Sequence, residues 1–331
     1  MVEELDLIDR KILYELDLNA RISTTQLAKK LRVGRETTNY RINRLVKKGI
    51  IRKFVTMTNP AMFGYSVYKL FLKFQNLDKE KEKELLDCLM KNDYIYWIAS
   101  CRGKYDLNFC VFAKNINHYE EIMSVFFEKY GNYILEQEFN TTLEVGIMSK
   151  DWLLPEKNLL SKLVYFGGNN LDIQIDEIDL QLLKILANNG RMNANKIAEK
   201  MNSTTRIVLY RMKELEKKGV ILGYTISLDL NILKKQFFKT IIYFTHFNKK
   251  LKQKIVEYSR NNKNIGFFVF CVGSWSLELE LIVDDNNQFY KIMDDLKQTF
   301  LEMKGYEFLM FPKEYKFDWV PQCYKPEKTI K

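Results

Sequence analysis

The residues best placed to do chemistry lie in two segments 170 positions apart. In the first, Thr38, Ile42 and Leu45 recur at helical spacing and mark a buried stripe over about Arg35–Lys48. Arg35, Glu36, Thr37, Asn39, Tyr40, Asn43 and Arg44 fall off that stripe. Polar side chains at the start of such a helix reach base edges in a major groove. Arg35, Arg44, Lys47 and Lys48, with Arg52 and Lys53 just beyond, are placed to meet phosphates. In the second segment the stripe is Val208, Met212 and Leu215, and the outward set is Thr205, Arg206, Ile207, Leu209, Tyr210 and Lys213, followed by Lys217 and Lys218. Ile207 and Leu209 suit thymine methyls, or equally another protein surface. Tyr40 and Tyr210 offer stacking, phosphate contact or plain packing. Arg41 and Arg211 offer phosphate contact or an internal ion pair to an acid such as Asp9 or Asp179.

A basic helix is often only a solvated face. Here the charge is uneven. Residues 5–54 hold 13 basic and 5 acidic side chains, net +8; residues 175–224 hold 9 and 6, net +3; residues 55–150 hold 11 and 13, net −2. The excess sits on the first helical module, which favours a polyanionic partner, double-stranded DNA.

Other chemistry is poorly supported. Five cysteines, Cys88, Cys101, Cys110, Cys271 and Cys323, form no C-x-x-C pair, and the chain has only two histidines, His118 and His246. There is no P-loop, no dinucleotide fingerprint, no paired-histidine motif and no nucleophile elbow. No catalytic residue, metal or cofactor is expected, and the chain is not expected to be an enzyme. The 331 residues are 47% hydrophobic and 28% charged, with net charge +10, enough to bury a core and stay dissolved. No apolar run reaches the length of a membrane span. The acidic start, MVEELDLIDRK, is unlike a secretory signal. A cytoplasmic protein without membrane contact is the expectation.

These residues must be held by repeated elements. Residues 5–54 aligned without gaps on 175–224 give 16 identities, among them Asp6/Asp176, Asp9/Asp179, Arg21/Arg191, Tyr40/Tyr210, Arg41/Arg211 and Gly49/Gly219. The register continues through Lys69/Lys239, Cys101/Cys271 and Gly103/Gly273, then slips to 167 at Asp151-Trp152 against Asp318-Trp319. The chain is one unit written twice. In each copy a helix over Leu5–Leu18, a second over Gln26–Leu31 capped by Ser23, the outward-facing helix, a glycine stop and a β segment (Ile51–Thr58 in the first) spell a winged helix-turn-helix. The pattern then becomes βαββαβ. It reads Val67–Gln75, Lys79–Lys91, Tyr94–Cys101, Leu107–Val111, Tyr119–Tyr130 and Glu136–Ile147, and again from Phe237 to Phe317.

The predicted fold is α+β: two winged helix-turn-helix domains, each followed by a ferredoxin-like βαββαβ domain. The boundaries are 1–60, 61–152, a linker at 153–174, 175–230, 231–321 and a tail at 322–331. In the linker, Leu159, Leu160, Leu163 and Val164 suggest one short helix. The two sheets are expected to pack face to face, making a dimer-like core with two helix-turn-helix lobes about a pseudo-two-fold axis. Exposed apolar edges could pair chains further.

The set Leu5-Asp6-x-x-Asp9-x-x-Ile12-Leu13, Asn19-Ala20-Arg21-Ile22, Leu27-Ala28, Tyr40-Arg41-Ile42-x-Arg44-Leu45 and Lys48-Gly49-Ile50-Ile51 resembles the Lrp/AsnC family of feast/famine regulators. So does its second version, from Ile175-Asp176-x-x-Asp179 to Lys218-Gly219-Val220-Ile221. The resemblance implies a sequence-specific DNA-binding transcriptional regulator whose βαββαβ (RAM) domain senses a small ligand, an amino acid or other effector, and oligomerises. The family's inter-strand glycine loop corresponds to Gly103, Tyr105 and Asp106 here, and to Gly273, Trp275 and Ser276 in the second copy, where the acid is missing. Both glycines also suit a plain hairpin turn, and Asp106 either a turn or capture of an amino group. The serine common at the recognition-helix N-cap is replaced by Gly34 and Thr204. Sirohaem decarboxylases resemble the same architecture and imply an enzyme using histidines and arginines of the C-terminal domain; His118 and His246 align with Gln288 and Asn76 and sit outside the inter-strand loop. A third reading is an architectural or assembly protein that binds DNA without sequence preference.

Overall fold

The structure, a computed structural model, describes residues 5–155, 161–171 and 173–326. The first module is α1 (Leu7–Leu18), α2 (Thr24–Leu31) and α3 (Arg35–Lys47). Asp6 caps α1 by accepting the Asp9 N–H at 2.8 Å. Ser23 and Gln26 form a reciprocal capping box on α2, satisfying two N–H groups the helix itself leaves open. Gly49, at φ +73°, ends the module as the sequence requires. Then comes β1 (Ile51–Thr58). The second module repeats this as α6 (Glu177–Asn188), α7 (Ala194–Lys200), α8 (Thr205–Lys217) and β7 (Ile221–Leu228).

The wings depart from expectation. β1 and β7 pair with each other, antiparallel, with Phe54 opposite Ile226 and Val55 opposite Thr225. A lone strand leaves a row of N–H and C=O groups unpaired, and the duplicate provides a matching edge within the same chain. The two modules are thereby joined through a two-stranded ribbon.

The first βαββαβ domain is β2 (Ser66–Phe74), α4 (Lys79–Lys91), β3 (Ile95–Arg102), β4 (Leu107–Ala113), α5 (Ile116–Tyr130) and β5 (Ile134–Met148). The second is β8 (Gln236–Phe244), α9 (Lys249–Asn261), β9 (Ile265–Gly273), β10 (Leu277–Val283), α10 (Asn286–Thr299) and β11 (Met303–Phe317). Strand order is β5-β2-β4-β3 in one and β11-β8-β10-β9 in the other. The alternation of side chains sorts the two faces. Tyr68, Leu70 and Leu72 point to the core under α4 and α5, while Val67 and Phe71 join the core shared between the copies. The sheets do enclose a common core, but they also bond edge to edge. β3 pairs β11 at Ser100–Lys313, and β5 pairs β9 at Thr141–Val272. The eight strands thus run in a closed circuit, which removes the open edges that two stacked sheets would leave.

At the described end of the linker, Leu163 and Val164 are not helical. Leu163–Gly167 is a strand, β6, antiparallel to β5, and it covers that strand's remaining edge; Leu159 and Leu160 lie outside the described residues. Among the described residues no helix is long and apolar enough to cross a membrane.

Two glycines make the edge joints feasible. Gly103 has φ +131°, and a Cβ there would lie 2.9 Å from the Phe308 carbonyl of the other copy. Gly273 has φ +155°, with the Phe139 carbonyl at the same 2.9 Å. Either Gly→Ala change combines a left-handed backbone with a clash and should cost about 1–3 kcal/mol. Gly131→Ala, at φ −55° with nothing within 4 Å, should be neutral or stabilise by about 0.4–1 kcal/mol. Urea unfolding of the three variants checks the ordering, and equal midpoints would refute it.

Candidate nucleic-acid interface

The buried stripe of α3 is the expected one, Thr38, Ile42 and Leu45, docked on Ile12, Leu13 and Leu16. That leaves Arg35, Glu36, Thr37, Asn39, Tyr40, Asn43, Lys47 and Lys48 exposed on the opposite side. Tyr40 is 65% exposed, so it is a surface group and not a packing residue. α8 buries Val208, Met212 and Leu215. Arg206, Ile207, Leu209, Tyr210, Lys213, Lys217 and Lys218 are exposed and Thr205 is half-buried. Thr204 caps α8 through the Ile207 N–H, whereas Gly34 offers α3 no side-chain cap.

The recurring arginines resolve to the internal alternative. Arg41 donates to Asp6 at 2.7 Å and Asp9 at 2.8 Å, and Arg44 reaches the other oxygen of Asp9 at 2.5 Å. Asp9 is 2% exposed, so these guanidiniums satisfy a buried carboxylate. Arg211 repeats the arrangement with Asp176 and Asp179, at 2.5 and 3.1 Å. The hydrogen bonds that Arg41 donates to Asp6 and Asp9 hold its guanidinium above its ordinary value. Arg41, Arg44 and Arg211 therefore pin the recognition helices to the first helix of each module.

Arg52 and Lys53 are placed differently from a phosphate-binding wing. The ribbon carries them over β11, where Arg52 lies 3.8 Å from Glu314 and Lys53 4.0 Å from Asp318. Their charges face the βαββαβ core because the wing strand is used to join the copies.

A second repeated arginine holds the two modules in register. Arg21 donates to the Gly190 and Met192 carbonyls at 2.7 and 2.9 Å, and Arg191 returns the contact to the carbonyls of Ala20 and Ile22. Each also lies over a ring of the ribbon, Arg21 on Tyr224 and Arg191 on Phe54. Burial lowers both guanidiniums from their ordinary value. The Arg21/Arg191 identity was visible in the sequence; its reciprocal role was not.

The glycine-loop residues pack at the joints between copies. Tyr105 and Trp275 are buried against Phe71, with ring centroids 5.4 and 5.1 Å away. Asp106 accepts the Phe74 N–H and the Lys73 ammonium, both at 2.9 Å. The Ser276 carbonyl accepts the Cys271 N–H in the β9–β10 turn. The Asp106 carboxylate is thus tied to the end of β2 rather than within its own turn, and Gly103 and Gly273 serve close strand approach.

Sequence reading missed the group inside the strand circuit. Lys69 and Lys239, 4% and 2% exposed, both bond the fully buried Glu278 at 2.7 and 3.0 Å, and Lys239 also reaches Glu280 at 2.9 Å. Burial alone would raise the Glu278 carboxyl, but the two ammoniums outweigh it and hold it at about 2. The repeated Lys69/Lys239 pair was the available signal. Among the described residues no cluster of three or more metal-ligating side chains occurs.

Comparison with known proteins fits this geometry. A winged helix-turn-helix DNA-binding family model matches residues 5–52 and 175–221. The chain is 33% identical over 122 residues to the HTH-type transcriptional regulator PH0140 of Pyrococcus horikoshii, a stretch covering 36% of this chain and 75% of that one. It is 28% identical over 144 residues to the HTH-type transcriptional regulator LrpB of Bacillus subtilis, covering 44% and 93%. Over its whole length it shares the fold of the sirohaem decarboxylase NirDL, with TM-score 0.61, 12% identity and coverage of 95% and 94%. The matched helices are those that present the exposed polar faces, and the chain belongs to the Lrp/AsnC-type family of helix-turn-helix transcriptional regulators, carrying two helix-turn-helix regions in one polypeptide.

Proposed function

We propose that this chain is a sequence-specific DNA-binding regulator in which one polypeptide does the work of a dimer, with two unequal half-site readers. The observation that carries it is the pair of solvent-facing recognition helices held in fixed relation by the Arg21–Arg191 clasp and the β1–β7 ribbon. A two-fold arrangement of such lobes reads half-sites whose centres lie about 10 base pairs, or a multiple, apart. The two faces differ in chemistry. α3 presents Arg35, Glu36, Thr37, Asn39, Asn43 and Lys47; α8 presents the exposed apolar pair Ile207 and Leu209. The operator is therefore an imperfect palindrome, with thymines in the half read by α8. A selection from a random duplex library tests this directly. A two-part asymmetric motif is expected. Enrichment of a perfect palindrome, or binding that depends on salt but not on sequence, would refute it; the second outcome would favour an architectural protein.

The enzyme alternative rests on histidines and arginines of the βαββαβ domains. His118 sits at the start of α5, its ring accepting the Lys114 N–H and lying edge-on to Tyr94. His246 lies beyond the end of β8, against the Thr245 hydroxyl. Neither touches the strand circuit's interior, so a regulator remains the reading we favour.

A further inference from the structure

A cavity of about 460 Å³ lies between the β1–β7 ribbon and the mouth of the strand circuit. That volume is in the range of small-molecule sites, which favour such junctions between domains. Its floor is aromatic. Trp97, Phe237 and Phe311 line it, all only half-buried, with Phe311 at 5.4 Å from each of the other two rings. The Lys239 ammonium sits 5.2 Å from the Trp97 ring and 5.6 Å from the Phe311 ring. The roof is the ribbon, through Val55, Met57 and Ile226.

The wall charges are unequal. Four cations, Arg52, Arg102, Lys150 and Lys235, face two carboxylates, Asp229 and Glu314. Lys150 is committed to Asp17, Lys235 to Asp284, and Arg52 lies beside Glu314. Arg102 is exposed at the end of β3 and has no carboxylate partner among the described residues. Burial raises the Glu314 carboxyl above its ordinary value, and the Trp97 indole N–H, donating to it at 3.0 Å, partly offsets that. The Gln236 amide oxygen, shielded from solvent, has no hydrogen-bond partner among the described residues.

We propose that this cavity binds a small molecule with an aromatic, apolar body and one acidic group, the body against Trp97, Phe237 and Phe311 and the acid on the Arg102 guanidinium. A ligand N–H would satisfy Gln236. Because β1 and β7 follow directly from α3 and α8, an occupant touches the strands that set the recognition helices. Its influence on DNA affinity rests on the regulator reading above; its binding does not.

The test uses the full chain without DNA and two fluorescent probes of one shape, anionic 8-anilinonaphthalene-1-sulfonate and neutral N-phenyl-1-naphthylamine. Each is expected to saturate at one per chain. Arg102→Gln, at an exposed position, should weaken the anionic probe about tenfold, the value of one hydrogen-bonded charge. It should change the neutral probe less than twofold. Asn231→Trp, at the exposed rim, should weaken both. More than one probe per chain, equal losses of both probes in Arg102→Gln, or no change in either variant would overturn the proposal. A duplex titration with and without the anionic probe then reads the coupling separately.

Discussion

Glu278→Gln is expected to destabilise the folded chain by about 3–5 kcal/mol, the cost of removing one partner from a buried ion pair. Glu278 is fully buried and takes hydrogen bonds from Lys69, Lys239 and the Trp275 indole N–H, the last at 3.2 Å. Its loss leaves two buried ammoniums, of which Lys239 keeps Glu280 as a carboxylate partner. The duplication explains why the site is lopsided. The lysines are equivalent positions in the two copies, but Glu278 and Glu280 correspond to Asn108 and Cys110, so one copy holds all the acid. The change should also alter the pH profile. Glu278 titrates at about 2 in the fold against an ordinary 4.5, so its contribution is complete above about pH 4.5 and is lost as the pH falls through about 2. Lys239 shows the opposite limb. Burial pushes it down, but Glu278 and Glu280 outweigh that and raise it, so its contribution is complete below 10.5 and is lost at higher pH. Urea unfolding at several pH values should show the acid limb flattened in Glu278→Gln. An unchanged midpoint at pH 7 would refute the assignment.

Arg35→Ala combined with Lys47→Ala is expected to weaken duplex binding more than Arg206→Ala combined with Lys213→Ala. Both pairs are exposed on recognition helices, but the first module carries net +8 and the second +3. If each of the two α3 side chains meets one phosphate, the salt dependence should flatten by about 0.9 log unit per contact, about 1.8 for the pair. The α8 pair should flatten it less and act mainly on which sequences are bound, through its neighbours Ile207 and Leu209. Titrations at three salt concentrations with one duplex decide the matter, and the reverse order of slopes would sink the claim. Arg41→Ala is the informative contrast. It strips a partner from buried Asp9, so it should lower the melting temperature of the module before it changes the salt slope.

Much of the architecture was legible because it is local. The α3 stripe, the Ser23 cap, the Gly49 stop and the helix over Lys79–Lys91 each follow from residues within a turn or two of one another. The run Leu277–Val283 alternates as a half-buried strand would and does form a strand, but it is buried on both faces apart from the half-buried Glu280. The segment at 163–167 misled for the same reason. The spacing of Leu159, Leu160, Leu163 and Val164 suits a short helix, yet the open edge of β5 offers hydrogen bonds that draw 163–167 into a strand.

The sequence by itself determined the duplication, the α+β pattern of each copy, the exposed polar faces of α3 and α8, and the identity of every repeated residue. It did not determine what those repeats touch. Arg21 meets carbonyls 169 and 171 positions away, Lys69 meets a carboxylate 209 away, and β1 finds its partner only in β7. Secondary structure answers to side-chain spacing over a few residues, whereas an ion pair or a strand edge is satisfied by whatever the docking of the two copies brings within 3 Å. Arg52 and Lys53 carry the same charge in either account; the tertiary structure alone turned them from the wing toward the strand circuit.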